Sequence, residues 1–155
     1  MRLRIVALGQ RLPAWVVAGV GDYARRLPRE FAVELIELKP EARGQGRSTA
    51  QILAAEAERI AVATRGWMVI ALDEHGETWS TAQFAARLRG WSHSGRSVAF
   101  VLGSADGLAA AVKRDADVIM ALSALTLPHG LARVVLVEQI YRAASLLRGH
   151  PYHRE

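Results

Sequence analysis

The fold of this chain is decided by "SVAFVLGSADGLAAAVKRDADVIMALS", residues 97–123. It begins with a continuous apolar run that is closed by glycine, 97–103, and ends with a second apolar run, 117–123. Short apolar runs of this kind predict buried strands. The residues between them, 108–116, have the pattern of a short helix. The stretch therefore predicts a strand, a helix and a second strand.

The same alternation continues on both sides of this stretch. Further strands are predicted at 3–9, 31–38 and 67–73, and further helices at 13–27, 48–64, 80–91 and 131–149. Strands that alternate with helices predict an α/β fold with a mostly parallel sheet flanked by helices on both faces. At 155 residues we expect one domain, 1–155.

Composition limits the class of protein. Hydrophobic residues make up 51% and charged residues 23%, which is typical of a globular chain. The absence of cysteine excludes disulfides, thiolate metal sites and a cysteine nucleophile. No apolar stretch is long enough to span a membrane, and the N-terminus lacks a secretory signal pattern. We therefore expect a soluble, cytoplasmic protein without a membrane partner.

The charge of the chain points to an anionic partner. The net charge is +5, and among 20 basic residues only Lys39 and Lys113 are lysine. Arginine binds phosphate through a planar fork and stacks on bases, so the bias favours RNA or another polyanion, although a GC-rich coding sequence would produce it too. The loop 39–47 carries Lys39, Arg43 and Arg47, and two glycines, Gly44 and Gly46, lie between the arginines. It is either a mobile loop that grips phosphates or an exposed connection.

Three predicted strand ends are candidates for a binding site, because open parallel sheets bind ligands at the carboxyl ends of their strands. They are Leu72-Asp73, 102–104, and the stretch after Met120. The run 103–107 matches neither of the standard glycine-rich nucleotide motifs and by itself is typical of a tight turn. The segment 121–130, "ALSALTLPHG", either presents its backbone to a flat ligand such as adenine or simply connects two elements.

The last predicted helix is apolar on nearly all sides, which is typical of a helix buried on all sides. This pattern predicts a second chain that covers it, most simply in a symmetric homodimer. Glu138 and Arg142 lie four residues apart in the favourable order for an ion pair within the helix. Either this pair is structural or it serves a site.

Metal chemistry and standard hydrolase chemistry find little support. His150 and His153 have a chelating spacing, but neither cysteine nor a cluster of acidic residues accompanies them, so we expect no metal. The nucleophile elbow of hydrolases and the zinc-protease motif are both missing. Composition and charge are compatible with two classes of protein, a non-enzymatic RNA-binding module and a flavodoxin-like enzyme that binds a nucleotide and acts on a metabolite.

One long stretch is familiar: "LSALTLPHGLARVVLVEQIYRAASLLRGHPYHRE", 122–155, resembles the C-terminal signature of the RlmH family of SPOUT-class methyltransferases. The segments "LRIVALGQRLPAWV", "DYARRLP", "ELIELKP" and "ALDEHGETWSTAQFA" resemble the same family in the same order, so the likeness covers the whole chain. It implies a SPOUT fold with a C-terminal trefoil knot. It also implies N3-methylation of a pseudouridine in 23S rRNA, with no role for DNA, by a homodimer that shares its active site and takes methyl from S-adenosylmethionine.

The resemblance also implies which residues contact the methyl donor, and they fall at the three strand ends chosen above. They are Leu72, Gly103, Leu122, Ser123, Ala124, Leu125, Thr126 and Leu127. The chain departs from the family pattern at two positions in this region. Ser104 stands where the family usually has a second glycine, and Asp106 stands where it often has glutamate.

The polar tail, "HPYHRE" at 150–155, suggests the catalytic groups. The N3 proton of pseudouridine must leave before the nitrogen can accept a methyl group, so a base or a stabilising cation would help. We expect His153 to accept this proton and Arg154 to stabilise the negative oxygen or hold a phosphate. Tyr152 is expected to stack on or hydrogen-bond the base, and Arg142, oriented by Glu138, to position the tail or the RNA.

Overall fold

The computed structural model of the chain describes residues 1–153, apart from the side chain of His153. The strands are β1 (Arg2–Leu8), β2 (Val33–Leu38), β3 (Met68–Thr78), β4 (Ser97–Leu102) and β5 (Val118–Ala121). The helices are α1 (Ala14–Arg26), α2 (Thr49–Ala63), α3 (Thr81–His93), α4 (Ala110–Asp115) and α5 (His129–Leu147). Short 3-10 turns occur at Arg29–Phe31 and Pro151–His153. Every predicted strand and helix is thus confirmed, with shifts of one or two residues at the ends, except at the end of β3.

The five strands form one sheet in the order β2-β1-β4-β3-β5, and every neighbouring pair is parallel. The α/β prediction is confirmed. The central strand, β4, is buried from Val98 to Leu102, as its continuous apolar run predicts for a strand covered on both faces. All five carboxyl ends therefore meet at one edge of the sheet.

Two apolar cores lie on opposite faces of this sheet, because successive strand residues point to opposite sides. Leu3 and Ile5 of β1 belong to the core that α3 and α5 cover. Val6 and Leu8 belong to the core that Ile60 of α2 and the residues around α4 cover. Helices therefore flank both faces, as predicted.

Strand β3 is longer than the predicted 67–73, since it continues to Thr78. Its register with β5 shifts between Leu72 and Glu77, so the intervening residues bulge from the ladder. Gly76 allows this, because a Cβ there would lie 2.7 Å from the backbone of Ile119. The bulge leaves Asp73 and its neighbours at the carboxyl edge of the sheet.

Helix α5 is buried only in part by its own chain. It packs against α1, α3 and the turn Pro151–His153. Seven of its 19 residues are buried and the other twelve are half-buried. A second chain that covers the rest, and with it the homodimer, stays a prediction. Within the described part of the chain, no helix combines the length and the apolar character needed to cross a membrane.

Strand β5 is the outermost strand on one side of the sheet. The segment 122–128 leads from its carboxyl end to the start of α5, which lies beside β1. The first residue of α5, His129, would lie 3.0 Å from a Cβ at Gly9, directly after β1. The segment therefore passes the carboxyl ends of β3 and β4 on its way. This is the segment that the family resemblance threads through a knot, and the knot stays a prediction.

Candidate active site

A cavity of about 580 Å³ opens at the carboxyl edge of the sheet. Its walls come from the end of β3, the loop after β4, the segment after β5 and the first turn of α5. Of the donor contacts implied by the family, those that line it are Leu72, Gly103, Leu122, Ser123, Leu125, Thr126 and Leu127. Ala124 is exposed in the same segment but does not line the cavity. The structure thus brings three distant strand ends to one place.

The loop from Gly103 to Gly107 forms one wall. A Cβ at Gly103 would lie 2.4 Å from the carbonyl of Gly107, so only glycine permits this close approach. Gly107 has a φ of +78°, the left-handed conformation that glycine adopts without strain. Ser104 is absent from the residues with positive φ, so the loop accepts its side chain without backbone strain.

Asp73 and Lys113 also line the cavity and form an ion pair, with 3.1 Å between Nζ and Oδ2. Burial raises the pKa of Asp73, but hydrogen bonds from the backbone amide of His75 and from Lys113 lower it by more. Asp73 is therefore ionised at neutral pH. The pair offers an acceptor for hydroxyl or ammonium groups and a cation for a carboxylate.

At the bottom of the cavity, His129 is half-buried next to Arg133, whose Nη2 lies 3.1 Å from His129 Nε2. Burial and the neighbouring guanidinium both lower the pKa of His129. The imidazole is thus neutral at pH 7. His129 therefore serves as a fixed, uncharged part of the wall.

The basic loop 39–47 is bound to the protein in this structure. Arg43 donates from Nε to Asp106 Oδ2 at 2.8 Å and from Nη2 to Ser104 Oγ at 2.9 Å. Arg47 pairs with Glu41. These two arginines are already engaged by the chain, which favours the structural interpretation of the loop over a free grip on phosphate.

The tail is anchored on α5 through Tyr152. Glu138 accepts hydrogen bonds from Arg142 Nε at 2.8 Å and from the Tyr152 hydroxyl at 3.2 Å. The centres of the Tyr152 and Tyr141 rings lie 4.6 Å apart. The Arg142 guanidinium lies 4.8 Å from the centre of the Tyr152 ring. Burial, hydrogen bonds to Tyr23 and Glu138, and their charges raise the pKa of Tyr152, so its phenol stays protonated.

This tail cluster lies away from the cavity of the same chain. Glu138 follows His129 by nine positions on α5, a rise of about 14 Å. Tyr152, Arg142 and Glu138 therefore come together as predicted, but not at the donor contacts. The predicted roles of the His153 side chain and of Arg154 fall outside the described residues.

Several residues at the site escape the sequence analysis. Lys113 reaches the cavity from α4, and nothing in its local pattern indicates this. Glu56 is only 1% exposed and accepts a hydrogen bond from Ser104 at 2.8 Å. Its signal is present in the sequence, because a glutamate that shares an apolar helix face with Ile52 and Ile60 must be buried with a partner.

Metal ligands do not come together among residues 1–153. No group of three or more histidine, aspartate or glutamate side chains there has a geometry that could hold an ion. The cavity is instead lined by backbone, by apolar side chains and by polar side chains that include the Asp73–Lys113 pair, Ser104 and Asp106.

Comparison with known proteins agrees with this geometry. Residues 1–153 match the model of a family described as "Predicted SPOUT methyltransferase". Proteins named "Ribosomal RNA large subunit methyltransferase H" from Burkholderia multivorans and Burkholderia mallei are 48% and 49% identical over 155 residues. In both cases the match covers 99% of each chain.

Solved structures share the fold at low sequence identity. A probable methyltransferase from Bordetella pertussis Tohama I has a TM-score of 0.58 at 19% identity, over 92% of this chain and 96% of the other. A probable methylase family protein from Haemophilus influenzae has a TM-score of 0.56 at 13% identity, over 99% and 70%.

Proposed function

The chain belongs to the SPOUT methyltransferase family, and from this premise we propose that it methylates ribosomal RNA of the large subunit with S-adenosylmethionine as methyl donor. One observation carries the proposal: the chain is 48% identical, over its full length, to proteins named for that activity. We further propose that it acts in the cytoplasm, where its RNA substrate lies. The cationic composition, with a net charge of +5, suits an RNA substrate.

The cavity suits this donor. Leu72, Leu102 and Leu122 provide apolar surface for a purine, and the backbone of 122–127 provides polar groups beside it. Ionised Asp73 can accept from hydroxyl or ammonium groups, and Lys113 can pair with a carboxylate. The donor supplies a methyl group on a positively charged sulfur. The chain contributes the fixed geometry, and orientation accounts for much of the rate in such a displacement.

We propose the N3 nitrogen of a pseudouridine in 23S rRNA as the acceptor, as the family resemblance implies. His153 would take the N3 proton, and Arg154 would face the negative charge that spreads to the neighbouring oxygens. The C–S bond breaks as the N–C bond forms, and the electron pair leaves with sulfur. Arg142 and Glu138 hold the tail through Tyr152, which supports anchoring as their role.

We propose that the active unit is a homodimer in which the tail of one chain completes the cavity of the other. Within one chain the tail cluster at Glu138 is separated from His129 of the cavity by nine positions of α5, a rise of about 14 Å, which supports completion of the cavity by another chain. An apolar surface beside α5 is available for pairing, since Trp15 and Val17 of α1 are 57% and 60% exposed.

The test compares 23S rRNA from a strain that lacks this gene with RNA from the same strain with the gene restored. Mass spectrometry should find one pseudouridine without its N3 methyl group in the first and with it in the second. Calorimetry should show that the purified protein binds S-adenosylmethionine. Identical RNA in both strains would refute the proposed reaction, and binding of RNA without binding of the donor would identify a non-enzymatic module.

A further inference from the structure

The loop 39–47 is tied to the cavity wall, and we propose that it acts as a strap in which Arg43 is a positioning residue. Arg43 holds the Gly103–Gly107 loop in the shape that binds the methyl donor. The inference rests on the proposed use of S-adenosylmethionine. It assigns to this loop a task on the donor side of the reaction rather than a contact with RNA.

The first support is the buried carboxylate of Glu56. Its Oε1 accepts a hydrogen bond from the backbone amide of Glu41, in the strap, at 3.0 Å. Its Oε2 accepts from the hydroxyl of Ser104, in the cavity wall, at 2.8 Å. A buried carboxylate is costly unless both oxygens are satisfied. Glu56 therefore favours the conformation in which both loops are docked on α2.

The second support is the guanidinium of Arg43, which bonds two side chains of the wall at once. Nε donates to Asp106 and Nη2 donates to Ser104, at 2.8 and 2.9 Å. Because the guanidinium is planar and rigid, this fork fixes the distance between its two partners. The Ser104 hydroxyl accepts from Arg43 while it donates to Glu56, so one side chain joins both supports.

The third support is the composition of the wall. Residues 103, 105 and 107 are glycine, alanine and glycine, which leaves only Ser104 and Asp106 with polar side chains. Both line the cavity. A glycine-rich loop loses much conformational freedom when it is ordered, so restraints from outside stabilise its binding shape. The hydroxyl of Ser104 makes bonds to Glu56 and Arg43 that a glycine at this position could not make.

The chain offers a matched control for the test. Arg47 lies in the same strap, but its ion pair is with Glu41 and not with the wall. Arg43→Ala removes the fork, whereas Arg47→Ala removes an equal charge from the same loop. Asp106→Asn keeps the shape of the wall and weakens the same contact. Arg43 and Asp106 are each 39% exposed, so these variants should fold.

Hydrogen exchange in the donor-free protein tests the restraint itself. Arg43→Ala should speed amide exchange in 103–107 by about three- to tenfold relative to wild type, while Arg47→Ala should leave it unchanged. Asp106→Asn should fall between them. Equal exchange in wild type and Arg43→Ala would refute the strap, whatever the protein methylates.

Donor binding tests the consequence. By calorimetry and steady-state kinetics, Arg43→Ala should raise both the Kd and the KM for S-adenosylmethionine about three- to tenfold. The kcat and the KM for RNA should change less than about twofold, and Arg43→Lys should recover part of the loss. An unchanged donor Kd with a raised KM for RNA would refute the strap and make Arg43 an RNA contact. If the wild-type protein itself does not bind S-adenosylmethionine, both the proposed function and the role of Arg43 in donor binding are refuted.

Discussion

Arg133 is buried to 1% exposure, and its neighbours explain how the fold accommodates a guanidinium there. Nη1 pairs with Glu37 of β2 at 2.9 Å, and Nη2 donates to the carbonyl of Gly9 at 2.9 Å. Among the described residues, Nε has no partner. Because arginine keeps its charge, the adjacent His129 must offer Nε2 as a lone pair and stay neutral. The hydrogen bond from Arg133 to the carbonyl of Gly9 joins the start of α5 to the residue that follows β1.

The first prediction concerns the pH dependence of this contact. Burial and Arg133 lower the pKa of His129 in the folded state below its ordinary value of 6.5. Above 6.5 the imidazole is neutral in both states, so its contribution to stability is complete. As the pH falls below 6.5, the unfolded chain takes up a proton that the folded chain resists, and stability falls until the folded pKa is reached.

Urea unfolding at several pH values between about 8 and 5 measures this loss of stability. Wild type should lose stability across the lower half of that range. His129→Gln, which can still accept from Arg133, should lose less. His93→Gln provides the control, because His93 is exposed at the end of α3 and its replacement should leave the slope unchanged. Equal slopes in wild type and His129→Gln would show that His129 does not control the effect.

At the scale of elements, two helices begin with the same four residues, Ser-Thr-Ala-Gln. Before α2, the Ser48 hydroxyl accepts a hydrogen bond from the backbone amide of Gln51, and the side-chain oxygen of Gln51 accepts one from the backbone amide of Ser48. This reciprocal pair is a capping box. In α3, Ser80 and Gln83 do the same. Each capping box provides hydrogen-bond acceptors for two backbone amides that have no partner within the helix. Local sequence therefore sets both starts without help from tertiary contacts.

The second prediction is that Ser80→Ala lowers the free energy of unfolding by about 1 kcal/mol, because it removes the cap of α3. Ser80→Asn should cost only a few tenths of that, since asparagine caps a helix equally well. Urea unfolding of the three proteins measures both differences. A loss in Ser80→Asn equal to that in Ser80→Ala would mean that packing, rather than capping, is responsible.

Periodicity was sufficient to predict the elements and their order in the chain, because each buried strand contains a short apolar run and each helix has apolar residues at helical spacing. The capped starts of α2 and α3 and the glycine that follows α5 supported these assignments. Periodicity was not sufficient for the end of β3, where 73–78 is polar and continues only because Gly76 fits against the backbone of Ile119. For α5 it does not say how much of the helix a second chain would cover, because one chain buries only seven of its 19 residues.

The meeting of Leu72, Gly103 and 122–127 at one cavity was predictable, because the carboxyl ends of the strands of a parallel sheet lie at the same edge. The strap was not. Ser104 lies 48 positions from Glu56 and 61 from Arg43, and neither side chain has a local pattern that identifies its partner. Contacts of this kind depend on which loops the fold brings together.

At the scale of the molecule, the cavity and the tail cluster lie at different positions along α5. The cavity meets its first turn at His129 and Ala132, and the tail packs on its middle at Glu138. The cavity is lined by the ends of β3 and β4, whereas the tail sits close to α1 through Tyr23. A single chain therefore holds its tail apart from its own cavity, and we expect the pairing of two chains to bring a tail to each cavity.

The last prediction tests this pairing with two inactive variants. Gly103→Ala should block the donor wall, because its Cβ would collide with Gly107. Arg154→Ala should remove the proposed cation of the tail. A dimer that contains one chain of each kind, isolated through two different N-terminal tags, has one cavity with both defects and one with neither if tails are exchanged. It should show about half the wild-type activity, whereas each variant alone is inactive.

If each tail instead serves the cavity of its own chain, every cavity in the mixed dimer carries one defect. The mixed dimer should then be as inactive as its parents, and the shared site would be refuted. Mixed dimers of each variant with wild type provide the control, since one complete cavity remains under either arrangement and about half the activity should survive. Sizing of the wild-type protein decides the premise, because a monomer that methylates RNA would exclude exchange of tails altogether.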